Sequence, residues 1–407
     1  MLMFRFYWFF IIALFCLPLR ANTSEIDQTR LMLSPQAQIS LITCSPTDDA
    51  TFTLYGHTAL RVYDPVGKID WIYNYGIFDF SAPNFTFRFA KGETDYILGG
   101  STFDTFLMDY TLRGSEIYEQ VLNLQPEEKE ALFQALEWNR KPENRTYRYN
   151  YFFDNCATRP LMMIENNIKG IIKFAPESTL SKPLYPSFRE VINECTRDHP
   201  WQTFGCDLVL GLPTDRRMTQ RETFFIPEYL KNDFNKAEIV REGIAEPLVI
   251  QTNILAQENR EPLKPLFITA PITCFTLLFF LIMALTYFEW QRRKYYRLVD
   301  VVLFFCAGIA GCILFFLSFI SVHPCIFPNI SLLWLHPLHL TGIIFFAVKK
   351  WKKIAYWYHL INFAVVIIMS VGWFFIPQHF NIAFLPLILS LSLRSGWALL
   401  RKNNLTG

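Results

Sequence analysis

The chain has 407 residues, which is enough for two domains, and its hydrophobic share of 52% and aromatic share of 17% exceed those of an ordinary soluble protein. The net charge of +2 is too small to indicate a nucleic-acid partner. From residue 265 to the last residue, the only acidic side chains are Glu289 and Asp300. The composition therefore predicts a soluble domain followed by a membrane domain.

The first residues have the pattern of a secretory signal peptide. A basic start ends at Arg5, an apolar run covers residues 6–19, and polar residues follow. The apolar run is short for a transmembrane helix. We therefore predict that residues 1–21 form a signal peptide or an uncleaved N-terminal anchor.

A soluble domain is predicted for residues 22–257, and it opens with three strands. Hydrophobic and polar residues alternate over Gln38–Cys44, and further strands are predicted for His57–Val62 and Asp70–Tyr75.

Two helices and one loop region are predicted further along this domain. A proline and two acids open an amphipathic helix over Pro126–Trp138. Residues 157–166 have helical composition, with Asn155 as a suitable cap before them. Residues 183–227 are predicted to be rich in loops.

Cys156 stands at the start of the second predicted helix. A helix N-terminus lowers the pKa of a thiol, and a nearby base can take its proton. Asp154 and Arg159 give this cysteine polar surroundings, which an inert buried cysteine does not need. Cys156 is therefore the candidate nucleophile.

His57 begins the second strand and is the candidate base. The third member of a catalytic triad orients the imidazole by accepting its other N–H. Asp70 and Asn74 lie on one face of the next predicted strand, and either of them can reach His57. The sequence leaves this choice open.

Four other residues are weaker candidates for substrate binding. Arg159 either binds a phosphate or pairs with Asp154, and the pairing is favoured. His323 and Asn329 lie at the outer end of the membrane segments, where polar side chains line cavities or sit at the interface. Asn155 is included because it precedes Cys156.

The nine cysteines show no CxxC pair and no cysteine–histidine spacing typical of zinc. We therefore predict neither a metal site nor a cofactor. If the soluble domain is extracytoplasmic, two of Cys44, Cys195 and Cys206 are candidates for a disulfide. The sequence does not indicate which two.

A polar linker over residues 258–265 leads to a membrane domain over residues 266–407. Five apolar segments are long enough to cross or nearly cross a bilayer. They are Leu266–Phe288, Val299–Ser321, Leu332–Val348, Ile354–Ile376 and Phe380–Leu400. Clusters of basic residues follow alternate segments, at positions 292–297, 349–353 and 401–402. The positive-inside rule makes that side cytoplasmic and places the soluble domain outside.

These residues together resemble the Lnb family of bacterial lipoprotein N-acyltransferases, which join a periplasmic domain to a membrane domain. The resemblance covers nearly the whole chain. It is carried by Leu41–Pro46, Tyr55–Val62, Asn74–Phe80, Pro142–Tyr147, Asn150–Arg159, Pro200–Gly211 and Asn329–Leu338.

The resemblance implies an α+β papain-like periplasmic domain of the circularly permuted NlpC type, followed by an all-α five-helix transmembrane domain. In that group histidine precedes cysteine, so His57 corresponds to the base and Cys156 to the nucleophile. Two residues depart from the family pattern: Thr47 replaces an expected glycine, and Ala157 replaces an expected threonine.

The activity implied is transfer of an acyl chain from a phospholipid, through a Cys156 thioester, to the α-amine of a diacylglyceryl-cysteine lipoprotein. The acceptor is implied by the resemblance alone. Two alternatives stay open: a membrane-anchored cysteine peptidase or amidase that acts on cell-wall peptides, and a non-enzymatic assembly factor with a degenerate site.

Overall fold

The computed structural model describes residues 32–78, 83–175, 185–261, 263–347 and 349–401. The predicted signal segment lies outside the described residues. The described chain forms an α+β domain built on an antiparallel sheet, followed by a domain of apolar helices. This order of domains confirms the fold class predicted from the sequence.

The first domain contains a seven-stranded sheet and a small three-stranded sheet. The strands are β1 (Gln38–Cys44), β2 (His57–Asp64), β3 (Ile69–Ile77), β4 (Asp95–Thr102), β5 (Ile117–Leu122), β6 (Thr146–Arg148), β7 (Ile171–Lys173), β8 (Glu238–Arg241), β9 (Ile244–Pro247) and β10 (Val249–Ala256). The large sheet has the order β10-β5-β1-β2-β3-β4-β6, and the small one has the order β7-β8-β9. The three predicted strands are confirmed as β1, β2 and β3.

Eight helices belong to the described part of this domain. They are α1 (Phe85–Lys91), α2 (Phe103–Leu112), α3 (Pro126–Arg140), α4 (Thr158–Asn166), α5 (Phe188–Cys195), α6 (Pro200–Val209), α7 (Gln220–Thr223) and α8 (Pro227–Phe234). The two predicted helices are confirmed as α3 and α4.

The predicted loop over residues 183–227 is wrong, because α5, α6 and α7 fall within it. Ser187 accepts a hydrogen bond from the amide of Glu190 at the start of α5, which is a capping box. Pro200 occupies the first turn of α6, where its missing N–H costs nothing. The polar and proline residues that suggested loops are therefore helix starts.

Side chains of β2 alternate between two hydrophobic clusters on opposite faces of the sheet. Leu60 and Val62 pack with residues of α3, α4 and α8, whereas Ala59 packs with residues of α2. Because the alternation has period two, His57 belongs to the face that carries α2. The fold thus determines which helix lies against the candidate base.

The described part of the second domain contains five apolar helices, each overlapping one of the five predicted segments. They are α9 (Pro271–Arg292), α10 (Arg297–Phe319), α11 (Leu338–Ala347), α12 (Lys352–Val371) and α13 (Phe384–Leu400). By length and composition, α9, α10 and α12 can cross a membrane, whereas the apolar helices within residues 330–346 and 384–400 are shorter.

The two acidic residues of the membrane half meet one buried arginine. Arg394 of α13 binds Asp300 at 2.5 Å (Nε–Oδ1) and Glu289 at 3.1 Å (Nη2–Oε1), and all three side chains are fully buried. Mutual pairing makes such charges tolerable away from water. This cluster ties together α9, α10 and α13.

The two domains are joined by hydrogen bonds between residues 208–212 and residues 325–329, which we call the joint. The amide of Gly211 donates to the carbonyl of Cys325 at 2.8 Å, and the Asn329 side chain donates to the carbonyl of Leu208 at 2.9 Å. The joint therefore fixes the sheet domain on the helical domain.

We predict that Gly211→Ala destabilises the protein. A Cβ atom at this position would lie 2.2 Å from the carbonyl oxygen of Ile326 and 2.5 Å from that of Pro328, and backbone atoms cannot swing aside. Overpacking of this kind lowers the free energy of unfolding by about 1–3 kcal/mol. Thermal unfolding of the full-length protein in detergent measures the change.

Gly205→Ala is the matched control. Gly205 lies in α6, and its added Cβ would meet no atom within 4 Å. Alanine stabilises a helix interior by roughly 0.5–1 kcal/mol relative to glycine. Equal melting temperatures for Gly211→Ala and the wild type would contradict the tight joint.

Candidate active site

His57, the first residue of β2, is held from two sides. Its Nε2 hydrogen-bonds to Oδ1 of Asn74 on β3, and its ring stacks on Tyr110 of α2 with a centroid distance of 5.9 Å and an interplanar angle of 13°. An amide oxygen only accepts, so Nε2 carries the proton and Nδ1 keeps its lone pair. The imidazole is therefore oriented as a base whose free nitrogen is Nδ1.

Of the two candidates to orient the imidazole, the structure brings Asn74 to His57 and takes Asp70 elsewhere. Asp70 pairs with Tyr63 in the register of β2 and β3, at the opposite end of β2 from His57. Its carboxylate binds Arg61 through two hydrogen bonds of 2.7 and 2.8 Å. Asp70 thus belongs to an ion pair remote from the imidazole.

Cys156 lies two residues before α4, against the end of β2. Its sulfur accepts hydrogen bonds from the backbone N–H of Thr58 and from the hydroxyl of Tyr149. A Cβ built on Gly76 would lie 3.4 Å from the Cβ of Cys156. Because Thr58 follows His57 directly, the thiol and the imidazole share one end of the sheet.

The protonation states differ from the expectation that the helix start lowers the thiol pKa. Burial raises the pKa of Cys156 to about 11, although the Thr58 N–H, its own N–H and the Tyr149 hydroxyl oppose this shift. Burial also lowers the pKa of His57 to about 4, although the hydrogen bond that its Nε2 donates to Asn74 opposes this shift. Both side chains keep partial exposure. The thiol and the imidazole are therefore both neutral in the resting protein.

The Asn155 side chain hydrogen-bonds to backbone groups on both sides of Cys156 and in a neighbouring loop. Its Oδ1 accepts from the amides of Ala157 and Thr158 at 2.9 and 3.0 Å, and its Nδ2 donates to the carbonyls of Tyr151 and Phe225. The buried side chain thus ties the start of α4 to a neighbouring loop. The amides of Ala157 and Thr158, at the start of α4, are therefore already hydrogen-bonded within the protein.

Arg159 pairs with Asp154, as the sequence favoured. Two hydrogen bonds of 2.5 and 2.8 Å join the guanidinium to the carboxylate, and the guanidinium carbon lies 3.8 Å from the ring centroid of Tyr147. These contacts hold the segment before Cys156 in place. They occupy the Arg159 guanidinium, which is therefore not available to bind a phosphate.

His323 and Asn329 contact the sheet domain. His323 Nε2 hydrogen-bonds to the carbonyl of Phe89 in α1 at 2.7 Å. The amide of buried Asn329 donates to the carbonyls of Leu208 and Val209 at 2.9 and 3.2 Å. Both residues therefore connect the two domains in this structure.

The sequence analysis missed Gly76 and Tyr149. Gly76 has a φ of +96° and interrupts the register of β3 with β4, which forms a bulge. An isolated glycine within a strand signals such a close approach, so Gly76 was within reach of sequence reasoning. Tyr149 carried no comparable signal, because only the tertiary fold brings its hydroxyl to Cys156.

Cys44, Cys195 and Cys206 are free thiols, so the structure does not pair any two of them in a disulfide. Cys206 Sγ lies 3.8 Å from the hydroxyl of Tyr55. Within the described ranges, His, Cys, Asp and Glu side chains form no cluster of three that would suit a metal ion.

The fold and the site define a two-domain membrane protein whose α+β domain carries a thiol and an imidazole at one end of its sheet. Residues 28–192 match the family model described as the Lnb N-terminal periplasmic domain, and residues 263–404 match that of the Lnb transmembrane domain. The chain belongs to the Lnb family. Membership indicates a protein of the lipoprotein N-acyltransferase type with a periplasmic domain and a membrane domain. No curated protein and no solved structure matches the chain.

We predict that alkylation of Cys156 by iodoacetamide rises steadily with pH. Only the thiolate reacts, and burial holds the pKa of this thiol near 11. The rate should therefore rise about tenfold per pH unit between about pH 6 and pH 10. Peptide mass spectrometry of the full-length protein measures labelling at this site. A rate that is constant above about pH 6 would indicate a thiolate–imidazolium pair instead.

Gly76→Ala should reduce the reactivity of Cys156. The new methyl group would make ordinary contacts with the Cys156 Cβ at 3.4 Å and the Tyr149 ring at 3.7 Å, and it would lower the reactivity by crowding the path of the reagent to the thiol. Gly243→Ala is the matched control, since Gly243 also has a positive φ, of +86°, but open space around it. Both variants bear a backbone strain of about 1–2 kcal/mol. Equal alkylation of Cys156 in both would contradict the crowding.

Proposed function

We propose that this protein N-acylates lipoproteins through an acyl-thioester on Cys156, with a membrane phospholipid as the donor. One observation carries the proposal: the Asn74-oriented imidazole and the Thr58-bound thiol share one end of the sheet. The domain that holds them sits on apolar helices, so membrane lipids are the nearest candidate substrates.

In the first step, His57 Nδ1 takes the proton of the Cys156 thiol, and the sulfur attacks the ester carbonyl of the phospholipid. The C–O bond of the ester then breaks as the C–S bond of the thioester is completed. The imidazolium returns its proton to the leaving oxygen, and lysophospholipid departs. A resting neutral pair suits this step, because the proton moves only when substrate is bound.

In the second step, the free α-amine of a diacylglyceryl-cysteine attacks the thioester. His57 accepts a proton from the amine and delivers it to the sulfur as the C–S bond breaks. The products are the amide and the regenerated thiol. Exclusion of water by the membrane domain would protect the thioester from hydrolysis.

Three donors can stabilise the oxyanion of each tetrahedral intermediate. They are the N–H of Cys156, the N–H of Thr58 and the hydroxyl of Tyr149, all of which already hydrogen-bond the sulfur. The pairing of β2 with β3 begins at Leu60, so the Thr58 amide lies beyond it and points to the site. The amides of Ala157 and Thr158 are held by Asn155.

We place the protein in the bacterial inner membrane with the sheet domain in the periplasm. The basic clusters lie where α9 and α13 end and where α10 and α12 begin, and the positive-inside rule makes this side cytoplasmic. The sheet domain contacts the opposite ends of these helices, as when Phe87 of α1 packs on Phe316 of α10.

The proposal predicts N-acylated lipoproteins in a bacterium depleted of its own N-acyltransferase when this chain is expressed. Mass spectrometry of lipoprotein N-termini measures the product. Cys156→Ala and His57→Ala should abolish it, because nucleophile and base are lost. Asn74→Ala should lower the rate about a hundredfold, because the imidazole is no longer held in line.

Cys195→Ala is the control, because it removes another free thiol of the same domain. Full product from Cys156→Ala would overturn the proposal and favour the non-enzymatic assembly factor. Absence of N-acylation by well-inserted wild type, together with Cys156-dependent release of cell-wall peptides, would favour the peptidase or amidase.

A further inference from the structure

Helix α1 sits at the contact between the sheet domain and the membrane domain. Phe87 packs on Phe316, in the last turn of α10, with a centroid distance of 5.8 Å. The amide of Val322 donates to the carbonyl of Lys91 at 2.8 Å. Apolar side chains at this end of α10 are exposed, including Phe319 at 54%. Exposed apolar residues at the end of a membrane helix face lipid, so α1 lies at the lipid surface.

Helix α1 also exposes aromatic rings of its own. Phe87 is 59% exposed and Phe89 is 49% exposed. Phe52, which precedes β2, is 53% exposed and packs edge-on against Phe78 at 5.5 Å. We call Phe52, Phe78, Phe85, Phe87 and Phe89 the aromatic strip. Soluble surfaces rarely group large apolar side chains in this way unless they bind an apolar partner.

The aromatic strip leads from the membrane to the thiol through successive ring contacts. Phe89 stacks on Phe85 at 6.0 Å, and Phe85 stacks on Phe78 at 5.9 Å. Phe78 then contacts Tyr96 at 5.1 Å, and Tyr96 stacks on Tyr149 at 4.1 Å. The Tyr149 hydroxyl reaches the Cys156 sulfur. A series of ring contacts thus leads from α1 to the candidate nucleophile, and it passes through Tyr96, which belongs to the core.

The charges beside the aromatic strip are compensated. Arg88 binds Asp95 at 2.8 Å, and Lys91 binds Glu93 at 2.6 Å. These pairs lower the cost of placing an apolar chain against α1. Because these cations are paired, they attract the phosphate of a headgroup only weakly. A hydrocarbon tail is therefore the part of the lipid that α1 attracts more.

We propose that the aromatic strip binds the fatty acyl chain of the donor phospholipid and guides its ester from the membrane surface to Cys156. This inference rests on the proposed function and names the part of the protein that selects and orients the donor. Phe87 and Phe89 act as positioning residues, because they lie at the membrane end of the strip. A hydrocarbon chain held along the rings presents its carboxyl end to the thiol.

The test compares two donors on the full-length protein in lipid nanodiscs. Intact-mass spectrometry measures the initial rate of acyl-thioester formation at Cys156. The first donor is a long-chain phospholipid of the bilayer, and the second is water-soluble dihexanoyl phosphatidylcholine. The Phe87→Ser/Phe89→Ser variant should lose at least about tenfold in rate with the bilayer donor and less than about twofold with the soluble donor.

Trp138→Ser is the matched control, because Trp138 is a 60%-exposed aromatic residue on α3, away from α1. It should match the wild type with both donors. Equal rates of the double variant and the wild type with both donors would overturn the inference and leave the proposed function intact. An equal loss with both donors would also overturn it, since the site itself would then be damaged.

A second measurement is independent of turnover. A phospholipid that carries a diazirine in its acyl chain is photoactivated in nanodiscs with the Cys156→Ala protein. Crosslinks should map to residues 85–91 and exceed those on α3. Labelling of α3 and α1 at equal levels would contradict the inference.

Wild type that forms no thioester from either donor would instead refute the proposed function. If only the transfer to a lipoprotein amine falls in the double variant, the aromatic strip binds the acceptor and the inference is wrong.

Discussion

The candidate site depends on the point where β2 and β3 separate. Their pairing begins at Leu60, and the bulge at Gly76 turns β3 away from the first residues of β2. A strand end that is unpaired on one side leaves a backbone amide free to bind another group. Thr58 pairs with Thr43 of β1, and its amide binds the sulfur of Cys156. His57 lies at the same end of β2. The chemistry proposed for this protein thus rests on a local break in the sheet.

Burial then determines how the thiol and the imidazole behave. It disfavours the charged form of each. In the proposed mechanism, proton transfer from Cys156 to His57 therefore becomes favourable only when a substrate develops negative charge at the donors around the sulfur. A neutral resting thiol resists alkylation and oxidation.

The membrane domain fixes the position of the sheet domain. The joint holds residues 208–212 against residues 325–329, and α1 lies on the end of α10, so the sheet domain has two separate contacts with the helices. Domains that are attached at two places have little freedom to rotate against each other. The site and the aromatic strip are therefore held in a fixed position relative to the apolar helices.

The sequence by itself predicted the first three strands, the domain order, the apolar segments, and His57 and Cys156 as the candidate reactive pair, because periodicity, caps and charge clusters are local signals. It left Asp70 and Asn74 equivalent, since both lie on one face of one strand. Only the tertiary structure chose Asn74, through the register of β3, and revealed Tyr149. It also reversed the expected shift of the thiol pKa, because burial depends on everything that packs around a group and no local pattern reports it.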